Sequence, residues 1–98
     1  MKPCYADYVT HAMRFYAKHT NLKVFPTMAD ANNWRACHVA ISACSPTTRE
    51  YLMELYVDDR PLNEVIPILA CKYRMTNGQM WQAVNRFAKT VARLRGLI

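Results

Sequence analysis

The stretch Tyr73–Arg86, "YRMTNGQMWQAVNR", decides how this chain folds. Thr76 followed three residues later by Gln79 has the spacing of a capping box, in which each side chain satisfies a free backbone amide at the start of a helix. A helix is therefore expected to begin at about Asn77 and to run over roughly 77–95. Its apolar stripe is Met80, Val84, Phe87, Val91 and Leu94, at alternating steps of four and three, flanked by Ala83 and Ala88. At about 100° per residue the opposite face carries Gln79, Gln82, Asn85, Arg86, Lys89 and Arg93. A merely solvated helix would mix in glutamates. This face has none, and offers amides that can pair with adenine edges and guanidinium groups that can pair with guanine or phosphate.

Working outward, "PLNEVIPILACKY" places Leu62, Val65, Ile66, Leu69 and Tyr73 on one stripe, as a short helix would. Pro67 inside that stripe removes a backbone bond and typically costs about 3 kcal/mol. The helix is therefore expected to begin near Asn63, with Pro67 in its first turn or just beyond, or to kink there. Three further helices precede it. The first is read from about Pro3 to His19, with Tyr5, Tyr8, Val9, Ala12 and Tyr16 at helical spacing. Thr27, with Asp30 three residues on, can cap a second helix through Trp34, Cys37, Ile41 and Cys44. Ser45 is a good N-cap and Pro46 suits the first helical position, so a third helix starts there and turns Leu52, Leu55 and Tyr56 inward. The expected fold is all-α: a bundle of four to five helices with a C-terminal helix-turn-helix. Residues 1–98 form a single domain in this reading, 1–44 giving supporting or oligomerisation helices and 45–98 the helix-turn-helix region.

Composition agrees with a folded chain. Of 98 residues about half are apolar and eleven are aromatic, and only two glycines interrupt them, far from a disordered profile. No apolar run approaches the roughly 20 residues needed to span a bilayer. The N-terminal "MKPCYADYV" lacks the apolar core and cleavage site of a signal peptide, so a soluble, cytoplasmic protein is expected. Cys4, Cys37, Cys44 and Cys71 form no Cys-x-x-Cys pair. Cys37 and Cys44 share a helical face with Trp34 and Ile41, as small core residues do. His11, His19 and His38 match no metal-ligand spacing and have no Ser, Cys or carboxylate at a diagnostic distance in sequence. No catalytic, cofactor or metal site is expected, and no enzyme. The tyrosines and Trp34 could stack on single-stranded bases, but their helical spacing favours burial.

Charge is segregated. Residues 1–64 hold seven basic and seven acidic side chains. Residues 65–98 hold Lys72, Arg74, Arg86, Lys89, Arg93 and Arg95 with no Asp or Glu, so the whole excess of +6 lies in the C-terminal third. A local positive field of this kind steers and holds phosphates.

"PILACKYRMTNGQMWQAVNRFAKTVARLR" resembles the helix-turn-helix of sigma-factor region-four-like proteins, including phage regulators of the ArpU type: a small apolar helix, a turn, a Thr cap and a recognition helix in that order. The run from Pro67 to Thr76, with Ala83, Val84 and Arg86, also resembles the DNA-binding domain of the master sporulation response regulator. The resemblance covers about 35 residues. It implies sequence-specific binding of double-stranded DNA by a transcriptional regulator of phage or mobile-element type. Thr76, Asn77, Gln79, Gln82, Asn85 and Arg86 would face the major groove, and Lys72, Arg74, Lys89 and Arg93 would lie near phosphates. RNA polymerase is an expected protein partner of such a regulator. A single module of this size buries little surface, so a second copy is expected too, with Tyr5, Tyr8, Phe15 and Trp81 as candidate dimer contacts, and the lack of a long apolar run predicts no membrane. Two positions depart from the sigma-like pattern: Pro67 interrupts the supporting helix, and Trp81 replaces a polar flank residue. Two rival readings are a protein-interaction module or inhibitor docking its basic helix on an acidic partner, and a metal-dependent or thiol enzyme.

Overall fold

Thr27, Ser45 and Thr76 sit in extended backbone, and each accepts a hydrogen bond from the amide three residues on, which fixes where three helices begin. The computed structural model describes residues 4–98. Among them are five helices and no strand: α1 (Ala6–Lys18), α2 (Met28–Ser42), α3 (Pro46–Val57), α4 (Leu62–Lys72) and α5 (Asn77–Leu94). The fold is thus all-α. Pro3, the expected start of the first helix, lies outside the described residues. The described helix starts at Ala6, with Asp7 in its first turn, where an acidic side chain complements the helix dipole. Cys44, expected within the second helix, lies beyond its end at Ser42.

One apolar core joins all five helices. α1 contributes Val9, Ala12, Met13 and Tyr16, one stripe at helical spacing. α2 contributes small residues, Ala36, Cys37 and Ala40, with Ile41, so neighbouring backbones can approach closely. α3 turns in Tyr51, Leu52, Leu55 and Tyr56, and α4 Val65, Ile66, Leu69 and Ala70. α5 packs against α1, α2 and α4 through Met80, Val84, Phe87, Val91 and Ala92. The Cα radius of gyration, 12.9 Å, matches the roughly 13 Å of a close-packed chain of this length, so α5 does not project from the bundle.

Two expected stripes are corrected in detail. On α1, Tyr8 is 41% exposed, and Met13, absent from the expected stripe, is fully buried. Leu94, read as the last core position of α5, is 48% exposed, and Ala92 is fully buried in its place. At about 100° per residue Ala92 stands about 120° from Met80, off the four-three stripe, so its burial comes from the helices packed around the last turn of α5 and not from the repeat. α4 begins at Leu62, next to the expected start at Asn63, with Pro67 just beyond its first turn and the helix unbroken there. Pro67 and Asn63 are both exposed, so the carbonyl that loses its amide partner faces solvent.

The turn between α4 and α5 closes by a Schellman motif: the Met75 amide donates to the Ala70 carbonyl at 2.8 Å and the Arg74 amide to the Cys71 carbonyl at 3.2 Å. The left-handed residue of this motif is usually glycine, and here it is Arg74, with φ 56°. α5 ends in the same way, with Leu97 and Gly96 donating to Ala92 and Arg93, and there Gly96 takes φ 74°. A side chain at positive φ costs roughly 1–2 kcal/mol. Arg74→Gly should therefore raise stability by about 1 kcal/mol, and Gly96→Ala should lower it by a similar amount; urea titration followed by circular dichroism reads both.

A candidate nucleic-acid interface on α5

The capping box at the start of α5 is complete: the Gln79 amide donates to Thr76 Oγ1 at 3.0 Å and the Thr76 amide to Gln79 Oε1 at 2.9 Å. The "Asn77-Gly78" pair falls inside the first helical turn rather than in the connection, which is Tyr73–Thr76. With this register the ten residues expected at a nucleic acid, Lys72, Arg74, Thr76, Asn77, Gln79, Gln82, Asn85, Arg86, Lys89 and Arg93, are all exposed.

They are not equivalent. Thr76 Oγ1 and Gln79 Oε1 each accept a bond within the cap, which ties the Gln79 side chain back over the start of α5. Lys72 Nζ donates to Glu54 Oε1 at 2.7 Å and lies 5.5 Å from the Tyr73 ring centroid, so its charge is partly spent within the fold. Gln82, Asn85, Arg86, Lys89 and Arg93 span about 100° of α5 at the ideal helical rotation. Among the described residues Arg74, Arg86, Lys89 and Arg93 take part in no ion pair. The expected residues left for a polyanion are these four cations with the amides of Asn77, Gln82 and Asn85.

Arg95 has a different task. Its Nε donates to Asn33 Oδ1 and its Nη2 to the Tyr8 hydroxyl at 3.3 Å, while that hydroxyl donates to the same Asn33 oxygen at 3.1 Å. The Arg95 bond, then that of Asn33, holds the Tyr8 phenol below its ordinary range. Asn33 is the buried polar side chain of the described core. Sequence spacing counted Arg95 in the charge excess but gave no sign of this pairing, because its partners lie on α1 and α2.

The proposed dimer contacts are also engaged within the chain. Tyr8 is in this network, the Phe15 ring lies 4.7 Å from that of His19, and Tyr5 and Trp81 pack on the core. Trp34 stacks on His38 at 4.8 Å, and Tyr16 and His38 Nδ1 share a 2.8 Å hydrogen bond. Burial pushes the Tyr16 phenol up.

The thiols divide by environment. Cys4 and Cys71 are exposed, Cys44 is half-buried, and Cys37 is buried with its thiol pushed up to about 12 by desolvation. Groups of three or more potential metal-binding side chains do not occur among the described residues, nor does a helix long and apolar enough to cross a membrane. Comparison of the chain with protein families, curated proteins and solved structures found no match.

Arg95→Ala should lower stability by about 1–2 kcal/mol through its lost hydrogen bonds, whereas Arg93→Ala should stay within about 0.5 kcal/mol of the parent; paired urea titrations separate the two. In thiol labelling of the native protein, Cys4 and Cys71 should react first. Cys37 should react only on unfolding, since its folded state keeps a proton that the unfolded chain releases from its ordinary value of 9.0 upward.

Proposed function

We propose that the chain binds double-stranded DNA sequence-specifically, with α5 in the major groove, as a transcriptional regulator of phage or mobile-element type. The observation that carries this reading is the exposed face of α5: Gln82 and Asn85 beside Arg86, Lys89 and Arg93, with no acidic side chain anywhere in residues 65–98. Side-chain amides read adenine edges, and Arg reads guanine or phosphate. An acidic protein partner would call for the cations but not for the amides. The major groove, about 12 Å wide, admits a helix of this kind.

The connection supports the same reading. Arg74 holds a backbone conformation that favours glycine, and strained positions of this sort concentrate at functional sites. A cation there, at the mouth of the turn, can contact a phosphate next to the groove that α5 enters. The order α4, turn, capped α5 is also that of the sigma-factor region-four-like motif that the sequence resembles. One module of this size buries little DNA surface, so a second copy or RNA polymerase would supply the remaining affinity.

The test is equilibrium binding to mixed-sequence duplex DNA across a salt series. Four neutralised phosphates give a slope of log affinity against log salt of about −3.6, and the Arg86→Ala/Lys89→Ala variant should flatten it by about 1.8. Arg74→Gly, which leaves a stable fold, should flatten it by about 0.9. Gln82→Ala should change which sequences are preferred and leave the slope alone. Absence of binding at low salt would overturn the reading and direct the search to an acidic protein partner.

A further inference from the structure

Between α1, the start of α4 and the flank of α5 lies a cavity of about 560 Å³, within the roughly 300–1,000 Å³ of small-molecule sites. Its apolar wall is made by Leu62, Trp81, Val84 and Ala88. Trp81 is the residue that departs from the polar flank of a sigma-like recognition helix, and the cavity gives its indole a use.

The polar feature of the cavity is Arg14. This side chain is half-buried, its Nη2 donates to the Arg60 carbonyl at 2.9 Å, and its Nε is buried without a hydrogen-bond partner. It takes part in no ion pair among the described residues. The carboxylate whose field it shares, Asp58, is already held by Arg60, through bonds from Nε, Nη2 and the Arg60 amide. Arg14 is therefore a partly desolvated cation, fixed in orientation by one bond and, among the described residues, without a carboxylate in contact. Cations in such surroundings are ordinarily paired. Asp7 also lines the cavity, but it precedes Arg14 by two helical turns, about 10 Å along the axis, so the anionic group of a ligand belongs at the Arg14 end.

We propose that this cavity binds a small amphipathic carboxylate, its apolar body against Trp81 and its carboxylate at Arg14. Planar guanidinium and carboxylate groups match in geometry, and the volume exceeds by far what a single water occupies. Asn85 both lines the cavity and stands on the exposed face of α5, so the ligand touches α5 between its buried and basic sides. The site does not depend on the DNA-binding reading, and its test contains no nucleic acid.

The experiment is a two-dimensional NMR titration of the full chain with indole-3-acetate and, separately, with its neutral amide. The acid should shift the Trp81 indole N–H and the Val84 and Asn85 amides saturably. The neutral amide should bind about tenfold or more weakly, because it lacks the charge-assisted bond. Arg14→Gln should bring the acid down to the level of the amide. Ala88→Phe, which fills the cavity from its apolar wall, should abolish binding of both. Equal binding of acid and amide by the parent protein overturns the proposal without recourse to any variant. So do shifts confined to Arg86, Lys89 and Arg93, or no shifts at all at millimolar probe.

Discussion

The reciprocal bonds between Thr76 and Gln79 set the residue at which α5 starts, and the partition of that helix between core and surface follows from this register. A displacement of one residue would rotate every side chain by about 100° and carry Met80, which is wholly buried, off the core. α5 is packed on three neighbours, so the error would propagate through the bundle. The cap acts locally, across a single turn, while its consequence is global. It fixes the faces that Val84, Phe87 and Val91 on one side and Gln82, Arg86 and Lys89 on the other present.

The same helix carries an internal conflict. Arg86, Lys89 and Arg93 stand three, four and seven residues apart on one face, and like charges at helical spacing destabilise by a few tenths of a kcal/mol per pair. Nothing acidic in the last third of the chain offsets them. The cap and the buried stripe hold the helix together against that repulsion, and Arg74 adds backbone strain at its entrance. A polyanion would relieve the repulsion, whereas folding alone does not. The conflict is thus where local stability and the proposed function disagree.

Much of this architecture was legible in the chain because its causes are local. Caps at Thr27, Ser45 and Thr76 depend on groups three residues away, and the inward residues of α3 and α4 follow helical spacing. What spacing does not contain is the identity of neighbours. The Lys72–Glu54 pair joins α4 to α3, and the Arg95–Asn33 bond joins the end of α5 to α2. The first engages a lysine that the sequence placed near phosphates, and the second a guanidinium that it counted only in the charge excess. Leu94 escaped for a related reason: its own repeat placed it inward, but the elements around the last turn of α5 bury Ala92 instead. The φ of Arg74 was hidden because the residue is not glycine. The cavity lined by Arg14 and Trp81 comes from three elements distant in sequence.

The Asn33 network joins residues 87 positions apart, Tyr8 and Arg95. During synthesis α1 and α2 can meet as soon as both have emerged, since they are consecutive and packed on each other. Asn33 then has Tyr8 for company but lacks Arg95, which is made 62 residues later. Closing so long a loop also costs more entropy than any contact between adjacent helices. Assembly is therefore ordered in time: a growing chain can build a partial bundle early, and the polar tie between α1 and the end of α5 forms only after Arg95 has been made.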